Sequence, residues 1–254
     1  MTSDERWICK RLITMGQRLF AAPPEPIEFT QVPAANDLLN DLGRYPHAFV
    51  LACIMDRQIK SEKAWLIPFE IRRRLGGSFS LKEISALKPN AVRRLMSKPT
   101  PLHRFVDTMS NCLHKGAQRI ATTYRGDAAR IWSDSPSSAT VVYRFLEFDG
   151  VGPKIATMAA NILARQFKIP FADYYSIDIS VDVHVLRVFS RLGLTPTGAS
   201  PNQVVYRTRA IHPDFPGLID SPIWRIGRSV CRPKSPNCSA CCLNVRCPTA
   251  KSRC

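Results

Sequence analysis

Apolar residues along this chain recur at intervals of three and four, which is the spacing of one face of an α-helix. One such stripe is formed by Phe105, Met109, Cys112, Leu113 and Ile120. Stripes of this kind predict helices near residues 4–20, 36–55, 60–75, 81–96, 102–124, 137–148, 153–168, 183–193 and 201–211. No convincing pair of alternating strand segments accompanies them, so the sequence predicts an all-α fold.

Two segments without helical periodicity indicate where the chain could divide into lobes. A proline-rich connection spans 22–33, and a long loop spans 169–182. The chain of 254 residues is long enough for one large domain or for two interleaved lobes with a real core.

The charge of the chain is strongly positive. Thirty-six Lys and Arg against twenty Asp and Glu give a formal net charge of +16, which suits a polyanionic partner such as nucleic acid. The alternative is a basic protein whose charge only aids solubility. The first residues contain Asp4 and Glu5 and no long apolar run, so we expect neither a signal peptide nor a membrane span, and we expect an intracellular protein. In a bacterium or archaeon this means the cytoplasm or nucleoid.

A tight glycine turn joins two predicted helices between Asp149 and Gly152. Gly150 and Gly152 allow positive φ and close approach of a ligand to the backbone, and Pro153 suits the first position of the next helix. Amides at a helix start favour an anion, so we expect the turn to bind a DNA phosphate. The alternative is a helix–helix turn without a ligand.

Two residues are candidates for catalysis, one directly after this turn and one at the end of the long loop. Lys154 lies just inside a predicted helix N-terminus, where a positive charge is disfavoured, and a free amine there is a usable nucleophile. The alternative is a lysine that contacts phosphate. Asp182 reads as the N-cap of the helix that begins at Val183, which leaves its outer oxygen available for a second role.

Five of the nine cysteines crowd into one segment near the C-terminus. Four have the spacing Cys231-x6-Cys238-x2-Cys241-x5-Cys247. Four thiolates in a compact loop hold either a [4Fe–4S] cluster or Zn²⁺, and the spacing alone does not exclude zinc. Cys242 adjoins Cys241 and competes with it as the ligand.

The segment 224–254 contains seven basic residues and no acidic ones. We expect Arg232 and Lys234, which lie between the cysteines, to face DNA phosphates. For Lys251 and Arg253, a solvated charged tail is a serious alternative.

These motifs together resemble the endonuclease III-like DNA glycosylases of the helix-hairpin-helix superfamily. The resemblance rests on Gly150-Val151-Gly152-Pro153-Lys154, on Val181-Asp182-Val183-His184 with Arg187-Val188, and on the four-cysteine pattern, and it spans roughly 36–247. It implies two helical lobes. A six-helix barrel over 34–171 would hold the hairpin, and residues 1–33 with 172–254 would form the lobe with an iron–sulfur cluster.

The resemblance also implies roles for individual residues. Lys154 corresponds to the nucleophile that attacks the sugar, and Asp182 to the carboxylate that supports it. Gln58 ends the segment 49–58, which resembles the family helix whose glutamine fills the hole left by a flipped base. The ligands of a [4Fe–4S] cluster would be Cys231, Cys238, Cys241 and Cys247.

The sequence departs from the family pattern in three places. Asp149 stands where the family usually has proline, and a carboxylate is not ideal beside a phosphate. The stretch between Lys154 and Asp182 is longer than in endonuclease III, and either alters the base pocket or forms a surface loop. The residues 59–61 after Gln58 also differ, which bears on substrate choice. Asp178 lies in a similar local context but lacks the residues that follow Asp182, so it ranks below Asp182.

The expected activity is that of a base-excision-repair glycosylase acting on oxidised pyrimidines, with AP-lyase activity through a lysine Schiff base. The expected partner is double-stranded DNA that contains a damaged base, bound by a monomer. Three alternatives remain open. They are a monofunctional glycosylase that uses water to release uracil, mismatched thymine or alkylated bases, a non-catalytic DNA-damage binding protein, and a zinc-bearing nucleic-acid-binding protein.

Overall fold

The apolar stripes form helices in the computed structural model, which describes residues 1–252. No strand occurs within that range, so the predicted all-α fold is confirmed. The α-helices are α1 (Ser3–Ala21), α2 (Pro33–Asn40), α3 (Pro46–Met55), α4 (Ser61–Arg74), α5 (Leu81–Ala86), α6 (Pro89–Ser97), α7 (Val106–Thr122), α8 (Ser138–Leu146), α9 (Pro153–Arg165), α10 (Val183–Arg191), α11 (Pro201–Ile211), α12 (Asp220–Ser229) and α13 (Pro248–Lys251). Short 3-10 helices span Ala128–Ile131, Pro216–Ile219 and Asn244–Arg246.

Proline divides two segments that the periodicity predicted as single helices. The predicted helix 36–55 is wrong, because α2 ends at Asn40 and a new helix begins at Pro46. The predicted helix 81–96 is likewise interrupted before Pro89. Proline lacks the N–H that continues a helix and keeps the preceding residue out of the helical region, so each proline starts a new helix.

The periodicity missed α12 entirely. Pro222 lies in its first turn, where proline is tolerated, and the helix buries Ile223, Ile226 and Gly227 on one face. Because this apolar face is short and follows a proline, the segment looked like a connection.

Contacts divide the chain into two compact units. The hairpin unit comprises Pro24–Pro136 with Thr140–Ala159, and the cysteine unit comprises Met1–Pro23, Ser137–Ala139 and the chain from Ala160 onward. The unit boundaries near residues 24 and 160 fall about ten residues before the expected lobe boundaries at 34 and 171. The assignment of a six-helix barrel lobe and an iron–sulfur lobe stays a prediction.

Each unit has its own apolar core. In the hairpin unit, all ten residues of α3 are buried, and this helix packs against α4 and α7. In the cysteine unit, α10 packs against α12, and α1 contacts both α12 and the Pro216–Ile219 turn. Its core includes Ile8, Leu12, Val185, Phe189 and Ile223. Among residues 1–252, no helix combines the length and apolarity needed to cross a membrane.

Candidate nucleic-acid site and cysteine cavity

The glycine turn between α8 and α9 has two different glycine environments. Gly150 has φ +90°, and a Cβ there would lie 3.1 Å from the Cys112 sulfur. Gly152 does not have positive φ, and a Cβ there would meet no atom within 4 Å. The positive φ that the sequence allowed at both glycines therefore occurs only at Gly150. Gly152 leaves its backbone open to an approaching group.

Asp149, which stands where the glycosylases that the sequence resembles usually have proline, has a cationic partner. The Lys115 ammonium lies 2.8 Å from the Asp149 Oδ2 carboxylate oxygen, and both side chains are about half exposed. This hydrogen bond raises the pKa of Lys115. Because the carboxylate is paired on its own unit, its repulsion toward a nearby phosphate is reduced.

Lys154 is the second residue of α9 and stands directly after the turn. Its side chain is 45% exposed, and its Nζ lies 3.8 Å from Asp56 Oδ2. The Asp56 side chain is only 7% exposed. Asp56 is the C-cap residue of α3, and its backbone N–H donates to the carbonyl of Cys53. Sequence reasoning missed Asp56, although a lone carboxylate directly after an apolar helix was a signal that could have found it.

Gln58 lies two residues after Asp56, on the exposed surface of the same unit. Its φ is +54°, so it occupies the left-handed region that non-glycine residues rarely adopt. The buried His103 ring holds this segment through an Nε2 contact of 3.1 Å to the Arg57 carbonyl. Its Nδ1 accepts the Phe105 N–H at 3.0 Å, so Nε2 carries the proton. The main chain before Gln58 is therefore fixed, while the Gln58 side chain is exposed and can contact a ligand.

Asp182 is the N-cap of α10, as predicted. Its Oδ1 accepts the N–H groups of His184 and Val185, both at 2.8 Å. Oδ2 accepts no hydrogen bond from residues 1–252. Asp178 instead forms a two-pronged ion pair with Arg209, with both contacts at 2.8 Å, so it is engaged in the fold. Lys154 belongs to the hairpin unit and Asp182 to the cysteine unit.

The long stretch before Asp182 belongs to the cysteine unit and packs against other residues of that unit. Asp173 accepts hydrogen bonds from the hydroxyl and the backbone N–H of Ser138. Tyr174 stacks on Phe215 with ring centroids 5.0 Å apart and meets the edge of Phe20 at 5.3 Å. This stretch is thus fastened by its own side chains.

The four cysteines of the spaced motif, Cys231, Cys238, Cys241 and Cys247, line one cavity. Apolar residues complete its wall, among them Val188, Leu192 and Ile226. All four cysteines are free of disulfides. Cys242 does not line the cavity, is exposed, and has its sulfur 3.9 Å from the Met15 sulfur. Across residues 1–252, no three His, Cys, Asp or Glu side chains are arranged to hold a single metal ion.

Helix α10, which begins after Asp182, also anchors the cysteine loop. Arg187 Nε donates to the carbonyl of Cys231 at 2.9 Å. Arg191 donates to the carbonyls of Arg232 and Pro233 at 2.6 and 2.7 Å, and its guanidinium lies 3.5 Å from the Cys231 sulfur. The Arg191 guanidinium thus places a positive charge beside this cysteine.

Basic residues of the C-terminal segment fall into two groups. Arg246 and Lys251 both contact Asp4 of α1, at 3.0 and 2.6 Å, so Lys251 is not part of a loose tail. Arg253 lies outside the described residues. Arg232 is exposed, and within residues 1–252 its side chain donates only to the Ser229 carbonyl. Lys234 is exposed, and its side chain has no hydrogen bond or ion pair inside the described range. Arg232 and Lys234 can therefore meet a phosphate without losing an internal ion pair.

Comparison with known proteins places the chain near endonuclease III. No family model matches it. It is 28% identical to endonuclease III of Thermotoga maritima over 158 residues, which cover 62% of this chain and 67% of that protein. It is also 28% identical to endonuclease III of Treponema pallidum over 189 residues, covering 67% and 83%.

Solved structures share the fold. A structure of a trapped endonuclease III–DNA covalent intermediate matches with a TM-score of 0.64 and 17% identity, covering 100% of this chain and 99% of that one. A thermostable thymine-DNA glycosylase matches with a TM-score of 0.62 and 12% identity, covering 98% and 97%. In sequence the chain is similar to endonuclease III, and its fold is the one seen in the endonuclease III and thymine-DNA glycosylase structures.

Proposed function

We propose that this protein is a base-excision-repair DNA glycosylase that removes damaged bases, with oxidised pyrimidines as the expected class, and that it also cleaves the resulting abasic site. The sequence similarity to endonuclease III supports a glycosylase. The observation that carries the lyase part is the placement of Lys154. Its amine is half exposed and stands directly after a turn whose backbone is open at Gly152.

The proposed reaction uses the Lys154 amine, as the free base, to attack C1′ of the damaged nucleotide. The bond between C1′ and the base breaks, and the base leaves with the bonding electron pair and takes up a proton. The attached nitrogen gives up two protons, one to water and one to the ring oxygen O4′ as the C1′–O4′ bond breaks and the sugar ring opens, which gives an imine between Nζ and C1′. Loss of a C2′ proton then expels the 3′ phosphate and nicks the strand, and water hydrolyses the imine. Asp182 Oδ2 would stabilise the positive charge that develops on the sugar.

The test is borohydride trapping on duplexes that each carry one lesion. Borohydride reduces the imine, so wild type should form a covalent protein–DNA adduct, and Lys154→Ala should form none. DNA binding by Lys154→Ala should remain close to wild type, because phosphate contacts supply most of the affinity.

The matched variant is Asp182→Asn. Asparagine is as good an N-cap as aspartate, so stability should change little, while base release should slow by about a hundredfold or more. Base release without any trappable adduct, at a near-normal rate in Lys154→Ala, would contradict the lyase mechanism.

The second candidate is a monofunctional glycosylase that releases uracil, mismatched thymine or an alkylated base with water. The exposure of the Lys154 side chain directly after the open turn supports it, because a lysine in this place also suits a phosphate contact. In this case Lys154 would contact a phosphate. A non-catalytic DNA-damage binding protein would show neither base release nor an adduct.

We also propose that Cys231, Cys238, Cys241 and Cys247 hold a [4Fe–4S] cluster. The donor set fits the group, because four disulfide-free thiols line one cavity with apolar walls. Arg191 supplies positive charge beside Cys231. The cluster would fasten the loop that presents Arg232 and Lys234.

Metal analysis separates this proposal from a zinc protein. The purified protein should contain about four irons and four sulfides per chain. Replacing any of the four cavity cysteines by serine should lose the iron or the fold, whereas the control Cys242→Ser should keep both. Stoichiometric zinc without sulfide would contradict the cluster.

The partner that fits these features is double-stranded DNA with a damaged base, bound by a monomer inside the cell. The basic residues Arg232 and Lys234 and the open turn at Gly152 support phosphate binding.

A further inference from the structure

Asp56 is a buried carboxylate in a rigid part of the hairpin unit. It directly follows α3, whose ten residues are all buried, and its side chain is 7% exposed. The next residue is held from both sides, because the Arg57 N–H donates to the Met55 carbonyl at 2.7 Å and the Arg57 carbonyl accepts from His103. The backbone that carries the Asp56 carboxylate is therefore held in place by the core.

Lys154 has the opposite character. Its side chain has four rotatable bonds and is 45% exposed, so on a bare surface its amine would sample many positions. The 3.8 Å contact between its Nζ and Asp56 Oδ2 restricts that range. The mobile end of the lysine side chain is thus in contact with a carboxylate whose backbone is held in place.

We propose that Asp56 is a positioning residue that holds the Lys154 amine in place for attack on the sugar. The proposal rests on the proposed function of Lys154. It adds a link between the amine and the segment 56–58, which ends in Gln58. Gln58 is the candidate for filling the site that the flipped base leaves. Fixing a nucleophile near its attack geometry accounts for much of the rate of such a step, and small displacements cost about a hundredfold.

The first experiment measures adduct formation in Asp56→Asn, which removes the charge and keeps the shape. The single-turnover rate constant of borohydride trapping should fall by about tenfold to a hundredfold, while the Kd for lesion-containing DNA stays within about twofold. Asp56→Glu keeps the charge and should recover part of the rate. The matched control is Asp37→Asn, which removes an exposed carboxylate of the same unit and should change neither quantity.

A trapping rate in folded Asp56→Asn equal to that of wild type would overturn the proposal. So would a rate that falls only in proportion to the folded fraction and is not recovered by Asp56→Glu. Should Asp56→Asn fail to fold, Asp56→Ser provides a second variant without the carboxylate.

The second experiment needs neither DNA nor activity. Lysine amines are reductively methylated with ¹³C-formaldehyde, and the Lys154 resonance is assigned by its loss in Lys154→Ala. In Asp56→Asn this resonance should move toward the position shared by the exposed lysines, and an unchanged resonance would overturn the proposal. Absence of any adduct with wild type would instead contradict the lyase function. The resonance then decides alone whether Asp56 positions the amine.

Discussion

Burial lowers the pKa of His103 below the ordinary value of 6.5, while the hydrogen bond between its ring and the Arg57 carbonyl raises it, and the first effect is the larger. The nearby charges of Arg104 and Arg57 act in the same direction as burial. A second ring proton would sit on Nδ1, which accepts the Phe105 N–H. Protonation therefore costs one hydrogen bond in the folded protein and nothing in the unfolded chain.

The sign of the resulting pH dependence follows from proton binding. Below about pH 6.5 the unfolded chain binds the His103 proton more readily than the folded protein does, so stability is full above that pH and is lost as the pH falls. His103→Asn keeps a donor and an acceptor but does not titrate. Its free energy of unfolding should therefore fall less than that of wild type between pH 7.5 and 5. Urea unfolding at the two pH values measures both free energies. An equal decrease in wild type and His103→Asn would contradict this assignment.

Single residues also show where sequence reasoning stops. The N-cap role of Asp182 was predictable, because a cap depends on residues adjacent in sequence. The pairing of Lys154 with Asp56 was not, because nearly a hundred positions separate the two and only packing of the hairpin unit brings them together. The same applies to Lys115 and Asp149.

At the scale of elements, the periodicity located most helices and failed where proline controls the boundaries. Helix α11 has the predicted bounds, Pro201–Ile211, since a capping box of Ser200 and Gln203 fixes its start. The joined prediction across α2 and α3 failed because both helices carry buried apolar residues, and the break at Pro46 is a backbone effect that an apolar stripe does not record.

The helix-hairpin-helix turn offers a matched pair of glycine variants. Gly150→Ala places a Cβ at positive φ and 3.1 Å from the Cys112 sulfur, so it should lower the free energy of unfolding by about 2 kcal/mol. Gly152→Ala meets open space at an ordinary φ, so its stability should stay within about 0.5 kcal/mol of wild type. If Gly152 faces a phosphate, however, DNA affinity should drop in Gly152→Ala at unchanged stability. Denaturant unfolding with a DNA titration measures both. Normal DNA affinity in Gly152→Ala would contradict a phosphate contact at this position.

At the scale of the whole molecule, the total of thirty-six Lys and Arg overstates the number of cations that are available to a partner. Several cations are paired within the fold, including Lys115 with Asp149 and both Arg246 and Lys251 with Asp4. Composition alone cannot make this distinction, because it depends on which side chains meet. The exposed pair Arg232 and Lys234 therefore matters more for DNA binding than its share of the total charge suggests.

Two double variants of equal charge test this view. Arg232→Gln with Lys234→Gln and Arg246→Gln with Lys251→Gln each remove two positive charges from the same C-terminal segment. If each exposed cation neutralises one phosphate, the first pair should reduce the slope of log K against log salt by about 2. The second pair releases Asp4 as well as removing two cations that already have a partner, so its slope should change much less. DNA titrations from about 50 to 200 mM salt give both slopes. Equal changes in the two variants would mean that DNA responds to net charge alone and that the cysteine loop does not contact the backbone.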